Sequence, residues 1–277
     1  MTRPRYDLHT HTTASDGRLS PRELVREAQR SQLRALAITD HDTVEGIDEA
    51  WREAETVGLD LISGIEVSAN CDGASVHVLG LYIRHDEPWL KEFLSQARER
   101  RLERIHRILQ KLSGEGIHIG PEEVSARSAH GTIGRPHVAE VLVERGVVAD
   151  AAEAFARYLG YGAPAYVGYE KITLRDAIEL IRRAGGVASL AHPGLLERDD
   201  LIPGMVDEGL QAIEVYHCDH SAETVSHYRQ LASRFGLLTT GGSDFHARDG
   251  KGSTELGCAE LTEEALERIR RLASSTS

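Results

Sequence analysis

The sequence predicts an α/β barrel that is interrupted by an inserted helical segment. Short apolar runs alternate with helical patterns over the first 85 residues, and the same alternation resumes from residue 173, which predicts the barrel. Between residues 98 and 168 the pattern is helical only, and glycines and prolines divide it into short pieces. This stretch predicts the insertion.

Seven strands are predicted, each as a short apolar run. They are Tyr6–Thr10, Leu36–Thr39, Leu61–Val67, Val76–Ile83, Val187–Ala191, Ala212–Tyr216 and Leu237–Thr240. Because strands that alternate with helices usually pair in parallel, we expect a parallel sheet. Seven such strands favour a barrel over an open sheet.

Helices are predicted between these strands from their capping signals. At the clearest start, Ser20 caps the helix, Pro21 takes its first position and Glu23 closes a capping box. Further helices are expected at 46–57, 88–112, 173–184, 222–235 and 262–272. We predict a barrel domain of residues 1–97 and 169–277, and an inserted helical lid subdomain of residues 98–168.

The composition of the chain argues against some classes of protein and favours others. The net charge of −12 argues against broad nucleic-acid binding, which needs a basic face, whereas carboxylates suit divalent cations. No apolar run approaches the ~20 residues of a membrane span, and no signal peptide is evident. The three cysteines, Cys71, Cys218 and Cys258, form no CxxC pair, so we expect free thiols and a cytoplasmic protein.

Histidines and acids recur at the ends of the predicted strands. His9 and His11 stand two residues apart, so both side chains lie on one face, and Asp244 and His246 repeat this spacing. The other candidates at or near strand ends are Asp40, His41, Glu66, His77 and His192. Since the carboxyl ends of parallel barrel strands meet at one rim, we expect these nine groups to converge there.

Convergence of so many ionisable groups predicts a metal centre. Buried together without a metal they would repel one another and lack partners. Mixed nitrogen and oxygen ligands suit Mn²⁺, Zn²⁺ or Fe²⁺, and so many ligands exceed the capacity of one ion. We therefore expect two or three divalent ions, Mn²⁺ first, with Glu66 bridging two of them. Such centres bind phosphate esters and lower the pKa of a bridging water.

The same motifs resemble those of the PHP (polymerase and histidinol phosphatase) family of phosphoesterases. The matching segments lie in order over residues 6–246: Asp7-Leu8-His9-Thr10-His11, Thr39-Asp40-His41, Gly64-Ile65-Glu66 with His77, Ala191-His192-Pro193, and Ser243-Asp244-Phe245-His246. The resemblance implies a distorted (β/α)₇ barrel, similar to a TIM barrel, that carries up to three metals.

The resemblance also implies a ligand assignment. One ion would take His9, His11, Glu66 and Asp244, a second would take Glu66, His77 and His192, and a third Asp16, His41 and His246. Many relatives carry histidine where Asp16 stands, so we expect this aspartate to ligate but to shift the metal preference. Catalysis is expected to depend most on Glu66, Asp244 and His192. We expect Asp40 to accept a hydrogen bond from a ligand histidine.

Within the family, the sequence is most similar to the bacterial branch that hydrolyses nucleoside 3′,5′-bisphosphates and trims RNA from its 5′ end. The similarity lies in Ser15-Asp16-Gly17, Asp40-His41-Asp42-Thr43 and Gly134-Arg135-Pro136-His137. Arg135 offers a planar fork for phosphate, and we expect it to bind substrate together with His137. The alternative for this segment is a plain helix start with Arg135 solvated.

We therefore expect an enzyme that hydrolyses a phosphate monoester, converting a nucleoside 3′,5′-bisphosphate to the 5′-monophosphate. The alternatives are a 5′→3′ exoribonuclease on short 5′-phosphorylated RNA, a histidinol-phosphate phosphatase and a non-catalytic metal-binding module. A small nucleotide or short RNA is the expected partner, with neither a membrane nor a stable nucleic-acid complex. His217 follows a predicted strand but matches no family ligand position, and lining the pocket is an open alternative for it.

Overall fold

The structure is a computed structural model that describes residues 5–127, 133–168, 172–246 and 255–275. The chain forms two compact units, one of Met1–Lys91 with Lys171–Ser277 and the other of Glu92–Glu170. The predicted barrel and lid domains, with their boundaries at residues 97, 98, 168 and 169, stay predictions.

A mixed sheet of eight strands forms the centre of the first unit. The strands are β1 Arg5–Asp7, β2 Leu33–Ile38, β3 Asp60–Cys71, β4 Ala74–Leu81, β5 Ile172–Thr173, β6 Val187–Leu190, β7 Ala212–His217 and β8 Leu238–Gly242. Their hydrogen-bonded order is β1-β2-β3-β4-β6-β7-β8, and the short β5 pairs with β3. The predicted strands are thus largely present, within an α/β fold.

The expectation of an all-parallel sheet is wrong for β4, which runs antiparallel to both β3 and β6. The reversal occurs at Asp72-Gly73, where both φ angles are positive, at 47° and 83°. An Asp-Gly pair favours this tight hairpin turn. As a result, His77 lies beside Ser68 of β3. The backbone carbonyl of His77 accepts a hydrogen bond of 3.0 Å from the backbone N–H of Ala191. The start of β4 therefore lies level with the ends of its neighbours.

The first and last strands of the order also contact each other. The backbone N–H of Leu8 donates to the carbonyl of Gly241 at 3.1 Å, and that of Asp244 donates to the carbonyl of His9 at 2.9 Å. A single parallel bridge joins Thr10 and Phe245. These contacts bring the residues that follow β1 and β8 together. Full closure into a (β/α)₇ barrel stays a prediction.

The six helices predicted between the strands are present, and each begins within one residue of its expected position. The helices of the structure are α1 Pro21–Arg30, α2 Ile47–Val57, α3 Pro88–Gly114, α4 Pro121–Ser125, α5 Arg135–Glu144, α6 Ala151–Ala154, α7 Leu174–Arg183, α8 Pro193–Leu196, α9 Ile202–Asp207, α10 Ala222–Phe235 and α11 Glu263–Ser275. The predicted capping box of Ser20 and Glu23 is confirmed at the start of α1. None of the helices in the described part of the chain has the length and hydrophobicity that a membrane span requires.

Each unit has apolar side chains of its own to bury. In the first unit, Leu8, Ile62 and Leu81 are buried in a cluster that includes residues of α11. In the second, Ile108 and Leu112 of α3 are buried together with Val138 and Leu142 of α5. Because the second unit packs its own core, it does not depend on the sheet for burial of these side chains.

The expectation of free thiols is wrong for two of the three cysteines. Cys218 and Cys258 form a disulfide with their Cα atoms 5.7 Å apart, within the usual range for such a bond. They are separated by 40 residues, so their spacing carried no pairing signal. Cys71 is a free thiol.

Candidate metal centre

All nine side chains predicted as metal ligands lie together in the first unit. They are His9, His11, Asp16, His41, Glu66, His77, His192, Asp244 and His246. Most of them lie a few residues beyond the end of a strand, whereas Glu66 lies within β3 and His77 near the start of β4. The reversal of β4 is therefore what brings His77 to the same edge as the others.

Glu66 is the central member of the group, and its side chain is completely buried. Histidine nitrogens surround its carboxylate at 2.9 to 3.3 Å, from His9, His11, His41, His77 and His192. The first three face Oε2 and the last two face Oε1. One carboxylate with two sets of histidines, one at each oxygen, has the arrangement of a ligand that bridges two ions.

Three overlapping groups have ligand atoms within 4.8 Å of one another and could each hold an ion. They are His9, His11, Glu66 and Asp244; His41, Glu66 and His77; and His11, Asp16, His41 and His246. The first group is the one that the family resemblance implies. In the second, His41 stands where His192 was expected, although Nε2 of His192 lies 3.2 Å from Oε1 of Glu66. The third adds His11. The role of each residue as a ligand stays a prediction.

Several buried atoms of this centre make no hydrogen bond among the described residues, although the histidine nitrogens among them lie at ion-pair distances from the Glu66 carboxylate. These atoms are Nε2 of His9, Nε2 of His11, Nδ1 of His77 and Oε2 of Glu66. A buried polar atom left unpaired costs about 1–3 kcal/mol, so four in one place call for a ligand. Divalent ions would satisfy all four at once, and this mixture of imidazole and carboxylate suits transition metals. The residues therefore fit the implied ions.

The electrostatics of the centre also favour positive charge. Burial would raise the pKa of Glu66, but His41, His9 and His77 outweigh it and hold that pKa well below its usual range. Burial would lower the pKa of His41, but the Glu66 and Asp16 carboxylates raise it to about 9. Carboxylates that favour protonated histidines would favour divalent cations for the same reason.

Glu214 contacts two candidate ligands of the centre and is absent from the residues predicted from the sequence. It is a buried acid on β7, and its oxygens lie 3.1 and 3.2 Å from Nδ1 of His9. It also accepts a 2.7 Å hydrogen bond from the backbone N–H of His192. Because Nδ1 of His9 is held in this way, Nε2 faces the centre. The available signal was a lone acid inside the apolar run Ala212–Tyr216.

Asp40 supports the centre through a loop. Its Oδ1 accepts hydrogen bonds of 2.7 Å from the backbone N–H of Thr12 and 2.6 Å from the hydroxyl of Ser15. Its Oδ2 accepts one of 2.7 Å from the hydroxyl of Thr12. None of these donors is a ligand histidine, so the expected hydrogen bond from such a histidine to Asp40 stays a prediction. The contacts that are present hold the loop that connects His11 to Asp16, and so position both.

Two candidate ligands adopt unusual backbone conformations. His192 and Asp244 have φ angles of 28° and 52°, which residues other than glycine seldom adopt. Such conformations cost about 1–3 kcal/mol and persist where the surroundings hold them, as Glu214 holds the N–H of His192. The chain near Asp244 is also close to His9, since a Cβ at Gly242 would lie 2.3 Å from the Cβ of His9. The site is thus built at some cost in backbone strain.

A cavity of about 330 Å³ opens beside the centre. Its lining includes His77, His192 and Asp244, and the apolar side chains of Val76, Leu195 and Leu196. Leu195 is one of the few large apolar side chains exposed in the described residues. The cavity therefore joins an apolar surface to the candidate ligands.

The predicted substrate-binding residues lie in the second unit, at the start of α5. Nδ1 of His137 accepts a hydrogen bond of 3.0 Å from the backbone N–H of Gly134, so the predicted helix start is present. Arg135 is half-buried, with its guanidinium 5.4 Å from the ring centre of Phe155 and one N–H donated to the carbonyl of Leu159 at 3.2 Å. It is anchored rather than solvated, and substrate binding by Arg135 and His137 stays a prediction.

Comparison with known proteins agrees with this centre. Residues 7–160 match the PHP domain. The chain is 39% identical over 248 residues to a 5′-3′ exoribonuclease of Haemophilus influenzae, covering 87% of this chain and 90% of the relative. It is 38% identical over 263 residues to a 3′,5′-nucleoside bisphosphate phosphatase of Chromobacterium violaceum, covering 92% and 91%.

Among solved structures, a protein of Bifidobacterium adolescentis assigned as a metal-dependent phosphoesterase superposes with a TM-score of 0.79. It is 33% identical, and the match covers 97% of this chain and 96% of that one. The family match, the two relatives and the solved structure all indicate hydrolysis of phosphate esters. The cluster of histidines and acids around Glu66 could hold the metal ions for that reaction. The chain therefore belongs to the PHP family and is a metal-dependent hydrolase of phosphate esters.

Proposed function

We propose that this protein hydrolyses the 3′-phosphate of nucleoside 3′,5′-bisphosphates, giving the nucleoside 5′-monophosphate and phosphate. The observation that carries the proposal is the buried carboxylate of Glu66, which is shared by two of the three candidate metal groups. This is the arrangement that a phosphoesterase with two or three ions needs. The similarity to the Chromobacterium violaceum phosphatase over 92% of this chain supports the choice of substrate.

The residues of the centre have separate tasks in this proposal. Bound divalent ions, Mn²⁺ first and Fe²⁺ or Zn²⁺ as alternatives, would supply the charge that polarises the phosphoryl oxygen and acidifies the attacking water. Glu66 would be a ligand shared by two of the ion positions. His192 and Asp244 lie at the border between these positions and the cavity. The reacting phosphate would therefore sit against them.

The leaving nucleoside is proposed to occupy the cavity beside the centre. Its volume of about 330 Å³ is at the small end of the range for small-molecule sites. Leu195 and Leu196 offer apolar surface for a base or sugar, while His77 and His192 lie at the phosphate end. The second phosphate would need a contact of its own, because the ions neutralise only the phosphate being cleaved. Arg135, with His137, is proposed for that contact.

A second candidate function is 5′→3′ exoribonuclease activity on short 5′-phosphorylated RNA. The identity of 39% to the Haemophilus influenzae exoribonuclease favours it. The same set of candidate ligands could serve both reactions, since a phosphodiester and a monoester both present phosphoryl oxygens to metal ions. The two functions differ in what the leaving-group side must accommodate.

A phosphate-release screen with Mn²⁺ tests the proposal. Nucleoside 3′,5′-bisphosphates should be hydrolysed faster than nucleoside monophosphates, short 5′-phosphorylated RNAs or histidinol phosphate. The purified protein should contain two or three transition-metal ions per chain by elemental analysis. Chelation should abolish activity, and Mn²⁺ should restore it. Full activity in excess chelator would contradict the metal centre, whereas faster turnover of RNA would favour the second candidate.

A further inference from the structure

His217 has a buried nitrogen that the candidate ligand set does not explain. It is the last residue of β7, and 4% of its surface is exposed. Its Nε2 makes no hydrogen bond with any described residue. Because an unpaired buried donor or acceptor is costly, its presence in a native fold calls for a function or a ligand.

The other ring nitrogen determines where the proton of His217 lies. The backbone N–H of Asp219 donates to Nδ1 at 3.2 Å, so Nδ1 carries the lone pair. The proton of the neutral ring is then on Nε2. The carboxylate of Asp219 lies 3.9 Å from Nδ1, too far to accept a hydrogen bond. Among the described residues, none accepts a hydrogen bond from this Nε2–H within hydrogen-bond length.

This donor lies at the edge of the metal centre. Nε2 of His217 is 3.9 Å from Oδ2 of Asp244, which exceeds hydrogen-bond length. The ring centre of His217 is 6.1 Å from that of His192. Asp244 and His192 both line the cavity beside the centre. The donor is thus next to two residues that border the expected position of the phosphate.

His220, a neighbour of His217, makes the hydrogen bonds expected of a purely structural histidine. His220 packs its ring 5.3 Å from that of His217. Its Nδ1–H donates to the carbonyl of Val215 at 2.9 Å, and its Nε2 accepts from the N–H of Gly194 at 3.2 Å. Both nitrogens of His220 are satisfied, whereas one nitrogen of His217 is not. Nor does His217 belong to any of the three groups that could hold an ion among the described residues.

We propose that His217 donates its Nε2–H to an oxygen of the phosphate group bound at the metal centre, and that it does not ligate metal. This inference rests on the proposed function only in requiring that a phosphate binds beside Asp244 and His192. A phosphate oxygen supplies the acceptor that Nε2 lacks. The hydrogen bond orients the phosphoryl group for attack and stabilises charge on its oxygens.

Two substitutions separate the donor from the shape of the ring. His217→Phe keeps a planar ring but removes the donor, and His217→Gln keeps an N–H near the position of Nε2. With the full chain and Mn²⁺, we would measure inhibition of p-nitrophenyl phosphate hydrolysis by inorganic phosphate, together with bound metal. We expect His217→Phe to weaken phosphate binding about 10–100-fold at unchanged metal content, the size of one hydrogen bond to a charged group. His217→Gln should restore most of the binding.

Three outcomes would overturn the proposal. Loss of an ion in His217→Phe would make His217 a ligand, and an unchanged inhibition constant for phosphate would show no contact. Equal losses in both variants would indicate packing rather than hydrogen bonding. If His217→Phe does not fold, His217→Ala provides the variant without a donor. Because the readout uses an artificial ester and inorganic phosphate, a failure to hydrolyse any nucleotide would overturn the proposed function without deciding the role of His217.

Discussion

Two parts of the metal centre differ sharply in how firmly the fold holds them. The inner cluster, His9, His11, Glu66 and Asp244, consists of residues on or next to strands, and the first three are completely buried. The outer cluster consists of Asp16, His41 and His246 together with His11, and all of its members except His11 are partly exposed. The side chain of Asp16 is 40% exposed, that of His246 34% and that of His41 17%.

Burial and support from neighbouring residues indicate which candidate ion position is preformed. Glu214 fixes the ring of His9, whereas Asp16 lies on a loop and reaches His246 at 3.3 Å and His41 at 3.7 Å. A buried ligand set whose partners are already in place loses little entropy on binding, and its charges are less screened by water. We therefore expect tight binding at the inner cluster and weaker, exchangeable binding at the outer one.

The strongest test of the inner cluster is Glu66→Ala. It removes the carboxylate that contacts five histidines, so at least one inner ion should be lost. We expect kcat to fall on the order of 10³-fold or more, as for loss of a principal electrostatic stabiliser. Steady-state kinetics with saturating Mn²⁺, elemental analysis and circular dichroism would measure this. A folded variant with near wild-type turnover would contradict the bridging role.

Glu214→Ala tests whether the inner cluster is held by its supporting acid. Removal of the partner of Nδ1 frees the ring of His9, so metal affinity or activity should fall roughly 10–100-fold. Glu214→Gln should lose less, because its amide oxygen can still accept from His9. Titration with Mn²⁺ would compare both with Glu179→Gln, a change of an exposed acid on α7. Equal Mn²⁺ affinities in all three variants would show that His9 needs no support.

The inner cluster is also the part that the sequence predicted best. The spacing of His9-x-His11 indicates a shared face at a strand end, and Asp244 has the same spacing to His246 of the outer cluster. The direction of β4 was not foreseen, although Asp72-Gly73 is a hairpin signal. The connection from Val67 to Val76 is also shorter than the crossover of about a dozen residues that parallel pairing needs, so its length favours a hairpin as well.

Contacts between distant segments were harder to predict. The pattern shows Glu214 only as part of an apolar strand, whereas its partners His9 and His192 follow β1 and β6. The sequence places Asp40 near the centre, but its hydrogen bonds with Thr12 and Ser15 depend on the fold of a loop. Local periodicity contains no information about such pairings.

Arg135→Ala tests whether Arg135, which lies in the second unit, contributes to substrate binding. We expect kcat/KM for a nucleoside 3′,5′-bisphosphate to fall roughly 10–100-fold, corresponding to about 1.4–3 kcal/mol for a charged hydrogen bond. p-Nitrophenyl phosphate has no second phosphate, so its hydrolysis should change far less. Arg135→Lys is the matched control, since it keeps the charge but loses the planar fork. Equal losses on both esters would place Arg135 at the phosphate being cleaved, and no loss on either would leave it a structural residue of α5.

The smallest effect is expected at the outer cluster, from Asp16→Ala. Asp16 is part of the group with His11, His41 and His246, and it is the only carboxylate in that group. Its removal should lower the metal content by about one ion per chain. Since Glu66 and its inner contacts are untouched, we expect the loss of kcat at saturating Mn²⁺ to stay below roughly tenfold, far less than for a principal stabiliser.

Asp16→His exchanges the candidate ligand of the outer cluster rather than removing it. Imidazole suits Zn²⁺ and Fe²⁺, whereas a carboxylate suits Mn²⁺, so the variant should bind the outer ion but prefer Zn²⁺ or Fe²⁺. Competition between Mn²⁺ and Zn²⁺, followed by elemental analysis, would measure the preference. If Asp16→Ala kept its full metal content, Asp16 would not be a ligand. If it lost as much activity as Glu66→Ala, the exposed ligand would matter as much as the buried one, and the distinction between inner and outer clusters would fail.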